Sequence, residues 1–449
     1  MLLAARYVLP VSSPHIEEGA VLVRDGRIDA VGTRERLVAE NPEEPLRDFG
    51  SAVLMPGFVD LHTHLEYSIF RGAVDDVPYS QWKMQVVHKE ASLEPRDWED
   101  SATLGAMETM QSGITTIADI TNSGASLRAA AGAGLRGVVY REVSTMDKTK
   151  VDAKLAAARA DMDEWRATAD SALLSIGIAP HSPYTCHPSL FRRVADLARD
   201  EGLKVAIHLA GSKDEWDFVM YGSSPLAQDF REQAGWTDVA WMPTGVSPVR
   251  YVLQWGLFDI PGVLAVHCVQ VDDADIDVLG SHGVAVAHCP RCNAKLGMGI
   301  APLHRLLARG LHVGMGTDSP ASNNTVDTFD EMRIGLLLQR GLTGEASFFT
   351  AEKFVRMATL EGARALGMED RVGSLEAGKR ADIVAVDLSS SHMVPTQDPY
   401  SALVHTANQE NVVMTMVDGA VLYERGEYLT VDAEAALAAA EKTRGKLRG

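Results

Sequence analysis

The sequence predicts an α/β protein: a (β/α)8 TIM barrel with a small discontinuous β-sandwich domain built from both termini. Three observations lead there. Eight short, apolar, β-branched runs alternate with stretches of helical periodicity between residues 54 and 370. Several of those runs end in His or Asp. The two flanks share a different style, with short alternating strands and an Asp-Gly turn in each.

Residues 1–53 form the first flank. MLLAARYVLPVSS lacks the basic-then-apolar plan of a secretory signal and reads as a first strand. In EEGAVLVRDGRIDAVG, Asp25-Gly26 marks a hairpin turn. The barrel, residues 54–370, takes its strands from VLMPGFVD, GITTIADI, GVVYRE, LLSIGIAP, KVAIHLA, VLAVHC, VAVAHC and HVGMGTD. Helical candidates between them include DWEDSATLGAMETMQS, DAKLAAARADMDEWRATA, PSLFRRVADLARDEG and APLHRLLARG. Parallel strands need crossovers, and eight such units close a barrel. Residues 371–449 return to hairpins, with Asp418-Gly419 at the second turn, and finish in AEAALAAAEKTRGK, expected as an exposed helix. Neither flank is long enough for a β-domain alone, so the two are expected to pair.

A chain of 449 residues, 46% of them hydrophobic, exceeds one core and fits a large domain beside a small one. No apolar stretch reaches the roughly 18 residues of a membrane span. The net charge of −19 disfavours nucleic acid and anionic lipid as partners. Four cysteines suit a cytoplasmic chain with reduced thiols. Cys289 and Cys292 form a CxxC with no second pair to complete a zinc site; loop packing and a redox role both remain open.

In a barrel, catalytic groups gather at the C-terminal strand ends. There the sequence places His62, His64, His208, His267 and Asp318. Imidazole and carboxylate suit a hard or borderline divalent ion. Each residue alone has a plain structural explanation, such as a packed His-x-His pair. Their recurrence at successive strand ends points to a metallohydrolase.

These residues also carry a resemblance. GFVDLHTHLE, HSPYT, the His after KVAI, AVHC, HCPRCNAKLGMGIAPL, GTDSPASNN and GSLEAGKRADIVAVD resemble the amidohydrolase superfamily over nearly the whole chain. They are most similar to the branch of methylthioadenosine/S-adenosylhomocysteine deaminases, triazine chlorohydrolases and aminodeoxyfutalosine deaminases. The stretch with Phe218, Gly222, Pro225 and GVSPVRYVLQWGLF looks most like the last group.

The branch implies a mononuclear site. His62, His64, His208 and Asp318 would ligate one Zn²⁺ or Fe²⁺, with Mn²⁺ and Co²⁺ also suited to such a set. The ion lowers the pKa of a water. Asp318 would accept its proton, and His267 would hydrogen-bond the attacking oxygen. Trp82 would stack on a purine-like ring, or else anchor its helix as a buried residue. His181 would donate to a ring nitrogen, with Tyr184 beside it. Arg141 and Glu142 would meet a carboxylate or sugar hydroxyl, or else form an internal ion pair. Asn293 is expected to shape its loop.

One departure stands out. The branch carries His-x-x-Glu after the fifth strand, and that Glu moves protons between ring nitrogen and leaving amine. Here His208 is followed by Leu209, Ala210 and Gly211. Asp214 or Glu215 could replace it, the substrate could need no protonation, or the chain could bind without turnover. A smaller departure is Cys292 where the branch commonly has Ser. The leading expectation is a metal-dependent aminohydrolase deaminating an adenine-like nucleoside, 6-aminodeoxyfutalosine or a methylthioadenosine-like compound. The alternatives are a hydrolase of triazine, phenylurea or thiocarbamate C–N, C–Cl or C–S bonds, and a catalytically impaired ligand-binding homologue. The branch also implies a homo-oligomer.

Overall fold

The structure, a computed structural model, describes residues 1–448. Its barrel strands are β1 Phe58–Thr63, β2 Ile114–Thr121, β3 Arg136–Val143 and β4 Leu174–Pro180. They continue as β5 Ala206–Leu209, β6 Leu264–His267, β7 Ala285–His288 and β8 Val313–Met315. Two four-stranded parallel arcs, β1–β4 and β5–β8, make up the wall. Single parallel bridges, Ile178 to Val205 and Thr63 to Asp318, join the arcs at both seams. Most of these strands are buried on both faces, which is why they read as continuous apolar runs rather than as alternating ones.

The crossover helices fall where the periodicity put them. The first of those named runs as Pro95–Gln111, with Pro in its first turn and a reciprocal Glu94–Asp97 capping box. The run VLMPGFVD is two strands instead of one. Ala52–Pro56 belongs to the sheet of the termini, and β1 begins only after Gly57. A Cβ at Gly57 would lie 2.1 Å from Thr115 Cγ2, so only glycine lets the chain cross so tightly between the two sheets.

The flanks pair as expected. Ile383–Asp387 runs antiparallel to Ala52–Pro56, which itself lies parallel to Leu2–Val8. The result is one nine-stranded sheet drawn from both ends of the chain. It folds over a shared core in which Val21, Val23 and Ile28 meet Ile383, Met414 and Met416. Asp25, Gly26, Asp418 and Gly419 all have positive φ (48°, 73°, 52° and 79°), as two-residue hairpin turns of this twist require. The two turns meet: a Cβ on Gly26 would lie 2.6 Å from the Asp418 carbonyl oxygen. The tail helix, Ala433–Arg444, departs from the expectation of exposure. Ala436, Ala440 and Thr443 are buried against helix Pro95–Gln111. Thr443 Oγ1 donates to Asp97 Oδ1 at 3.2 Å.

At the N-terminal mouth of the barrel, the fully buried Arg136 ties the two domains together. Its Nε donates to Asp382 Oδ2 at 2.6 Å, and Nη2 reaches Asp382 Oδ1 at 3.1 Å and Asp418 Oδ1 at 3.2 Å. Removing one partner of such a pair strands an uncompensated charge. Arg136→Met is therefore expected to lower the unfolding free energy by about 3–5 kcal/mol in urea titration.

Candidate metal centre

The C-terminal strand ends bring His62, His64, His208, His267 and Asp318 to one point. One ligand atom each from His62, His64 and Asp318 lie within 4.8 Å of one another, as do those of His62, His208 and His267. The His62 and His208 ring centroids are 4.9 Å apart, and those of His62 and His64 are 4.7 Å apart. His62 Nε2 is 3.4 Å from Asp318 Oδ1, and His64 Nε2 is 3.8 Å from the same oxygen.

Hydrogen bonds behind the rings set which nitrogen faces inward. His64 Nδ1 donates to the Ile120 carbonyl at 2.8 Å and His208 Nδ1 to the His181 carbonyl at 3.0 Å, leaving each Nε2 with a free lone pair. His267 Nδ1 donates to Asn293 Oδ1 at 3.0 Å. Asn293 therefore orients a site residue as well as shaping its loop. His62 is fully buried; its Nδ1 has no hydrogen-bond partner and its Nε2 has only Asp318, at 3.4 Å. An orphaned imidazole is costly unless something coordinates it, so this donor set fits a divalent ion.

Burial keeps the rings of His64, His208 and His267 neutral and ready to coordinate. It lowers the pKa of His64 to about 3 and that of His267 to about 4, and it holds His208 well below the ordinary range. Burial alone would raise Asp318. The hydrogen bond and charge of His62, with His267 and His64 nearby, hold it well below the usual carboxylate range instead. Asp318 Oδ1 also accepts the Ser319 N–H at 2.7 Å.

Asp60 arranges this corner, and sequence reasoning passed over it. Its Oδ1 accepts the N–H groups of Thr317 at 2.9 Å and His62 at 3.2 Å, and its Oδ2 accepts Thr317 Oγ1 at 2.6 Å. One carboxylate thereby joins the end of β1 to the end of β8. The available signal was an acid inside an apolar strand, two residues ahead of His62.

A cavity opens over the centre. Trp82 and Tyr79, ring centroids 6.1 Å apart, form one wall. Trp82 Nε1 donates to the Ala321 carbonyl at 2.9 Å, so the residue both anchors its helix, Tyr79–Glu90, and lines the cavity. His181 lines it too, pinned through Nδ1 to Thr185 Oγ1 at 2.8 Å and Ser182 Oγ at 3.0 Å. Tyr184 does not line it. Its hydroxyl sits 2.6 Å from that of Tyr79 and braces that wall from behind. Arg141 is likewise displaced: Nε binds Asp161 Oδ2 at 2.8 Å and Nη1 binds Asn122 Oδ1 at 2.7 Å, the internal ion pair rather than a substrate contact.

Its neighbour Glu142 faces the cavity instead, with burial pushing its pKa up to about 7. Tyr79, Lys83, Tyr67 and Ser319 complete a lining that the sequence did not single out. Cys289 and Cys292 are buried free thiols, and Cys292 approaches Asp318 and His267.

The position expected to hold Glu is occupied from the side by the flexible end of Met298. A Cβ at Gly211 would lie 2.9 Å from Met298 Cε and 3.2 Å from His267 Cδ2. Glu215 does not enter the cavity. Its two oxygens accept the N–H groups of Ala210 and Gly211, both at 2.9 Å. Asp214 stays in the first turn of helix Lys213–Tyr221.

Comparison with known proteins agrees with this geometry. Residues 53–422 match the amidohydrolase family, and residues 19–43 match an imidazolonepropionase-like composite domain of bacteria. The chain is 35% identical over 429 residues to a 5-methylthioadenosine/S-adenosylhomocysteine deaminase of Moorella thermoacetica, covering 95% of each. A zinc-bound crystal structure of an adenosine deaminase from Xanthomonas campestris superposes with a TM-score of 0.86 at 30% identity, covering 100% of this chain and 98% of that one. Aminofutalosine deaminase of Helicobacter pylori, in complex with methylthio-coformycin, shares the fold at a TM-score of 0.81 and 22% identity, covering 94% of this chain and 100% of that one.

Because Asp60 satisfies three buried donors at once, Asp60→Ala is expected to cost roughly 2–4 kcal/mol of stability in urea titration. It should also weaken zinc binding about 10–100-fold, measured by competition with a chromophoric chelator.

Proposed function

The chain belongs to the amidohydrolase family, and we propose that it is a metal-dependent hydrolase of carbon–nitrogen bonds that deaminates an adenine-like nucleoside. The convergence of His62, His64, His208 and Asp318 beneath an aromatic-walled cavity carries this reading. Those four residues would hold one divalent ion, with zinc the first candidate. When bound, the ion makes a water acidic and draws charge from the reacting carbon.

The protein groups do the rest. Asp318, held ionised at the centre, takes a proton from the attacking water. His267, with Nδ1 tied to Asn293, turns Nε2 toward the attacking oxygen and stabilises the charge that develops there. Trp82 and Tyr79 offer the heteroaromatic ring one aromatic wall to pack against, and the pinned His181 offers a hydrogen bond to a ring nitrogen. 6-Aminodeoxyfutalosine and methylthioadenosine-like compounds are the first substrates to try. Gly211 favours a second reading, in which the leaving group departs without protonation, as chloride does from a triazine.

No helix among the described residues is long and apolar enough to cross a membrane, and all four cysteines are free thiols. These features support a cytoplasmic setting. A homo-oligomeric state completes the reading and is open to light scattering.

Zinc-loaded enzyme is expected to carry one ion per chain by atomic absorption. It should release ammonia from at least one member of a panel of adenosine, 5′-methylthioadenosine, S-adenosylhomocysteine and 6-aminodeoxyfutalosine. Asp318→Asn should lower that kcat by about 10²–10⁴-fold or more. Absence of ammonia across the panel would sink the deaminase reading and bring forward triazines, phenylureas and thiocarbamates.

A further inference from the structure

We propose that Glu142 is the catalytic carboxylate of this site, performing from the end of β3 the proton transfers that Gly211 cannot perform from beyond β5. The inference rests on the deaminase reading and supplies the residue that reading lacks.

Three observations carry it. First, position 211 carries no side chain, and the Met298 methyl stands 2.9 Å and His267 Cδ2 3.2 Å from where a Cβ would lie, so this strand end offers the cavity no carboxylate. Second, the neighbouring acids are committed elsewhere. Glu215 caps two backbone N–H groups. Glu66 accepts from the Thr121 and Ser123 hydroxyls and from the Asn122 N–H. Glu90 accepts the Tyr67 hydroxyl.

Third, Glu142 and Asp318 are the carboxylates on the cavity wall among the described residues. The Glu142 carboxylate lies within 4.8 Å of ring nitrogens of His181 and His208, yet it has no hydrogen-bond or ion-pair partner among the described residues. A half-buried carboxyl that faces the cavity without a protein partner is placed to meet a substrate N–H or a basic ring nitrogen. Lys83, on the same wall and equally unpaired, offsets the charge when the group ionises.

The protons then balance. Glu142 enters protonated. As the water oxygen bonds to the amine-bearing carbon, the C=N pair moves onto the ring nitrogen, which takes the Glu142 proton, while Asp318 accepts one proton from the water. Asp318 passes that proton to the amine, and the C–N bond breaks with its pair on nitrogen, releasing ammonia. The remaining O–H proton returns to Glu142 as the carbonyl forms. Both carboxyl groups end as they began.

The test uses zinc-loaded full-length enzyme and the panel nucleoside it turns over fastest, comparing the unmodified chain with Glu142→Gln and Glu142→Asp. Glu142→Gln is expected to lose about 10²–10⁴-fold in kcat, with KM little changed and zinc content by atomic absorption unchanged. Glu142→Asp should retain an intermediate rate. A Glu142→Gln enzyme whose kcat stays within about threefold, or whose KM alone rises, overturns the assignment and leaves the deaminase reading standing. Failure of the unmodified enzyme on every panel nucleoside overturns both.

Discussion

The seam between the first and last barrel strands is the constraint on which this structure depends. β1 and β8 stand more than 240 residues apart in the chain, and the bridge from Thr63 to Asp318 and the hydrogen bonds of Asp60 hold their ends in register. The Asp318 N–H donates to the His62 carbonyl at 2.7 Å, so the two residues share one backbone ladder. A shift of one residue would turn His62 or Asp318 to the other face of the wall. The metal centre is therefore a property of barrel closure as much as of its ligands. Asp318 and His267 have positive φ, 58° and 77°, so the backbone bends out of strand geometry where these side chains are aimed.

Charge is handled differently at the two ends of the barrel. At the N-terminal mouth, the buried Arg136 meets Asp382 and the half-buried Asp418 in a paired cluster that fastens the terminal sheet to the barrel. At the C-terminal mouth, the Glu142 carboxylate and the Lys83 ammonium face the cavity with no hydrogen-bond or ion-pair partner among the described residues, and the His62 imidazole meets only Asp318, 3.4 Å from its Nε2. Paired groups at one end give stability. Groups left unsatisfied at the other give affinity for something else, because a ligand that completes them removes a desolvation cost already present in the folded protein.

The glycine at 211 gains its meaning from this contrast. Seen as one residue among the strand ends, it is a missing acid. Within the packed site it is one part of an arrangement that includes the Met298 methyl, the Glu215 cap on the strand end and an unpartnered carboxylate on the end of β3. Arg141 and Glu142, adjacent in sequence, divide accordingly. Alternating strand geometry sends the guanidinium outward to Asp161 and the carboxyl inward to the cavity.

The eight apolar runs, the Asp-Gly turns and the strand-end His and Asp residues were all readable from the chain, because each is a local pattern whose period or turn chemistry dictates one conformation. The resemblance to the amidohydrolases followed from the same short strings. The roles of Tyr184, Arg141 and Trp82 could not be settled that way, since whether a strand-end side chain faces a cavity or braces it depends on neighbours from other strands. Asp60, Met298 and Lys83 escaped notice for the same reason: nothing in their own segments shows what lies across from them. The sequence by itself determined the barrel, the candidate metal-ligating residues at its strand ends and the missing acid. Only tertiary structure decided which acids are already satisfied and which one is left facing the cavity, because hydrogen-bond satisfaction belongs to the packed whole and not to any segment of it.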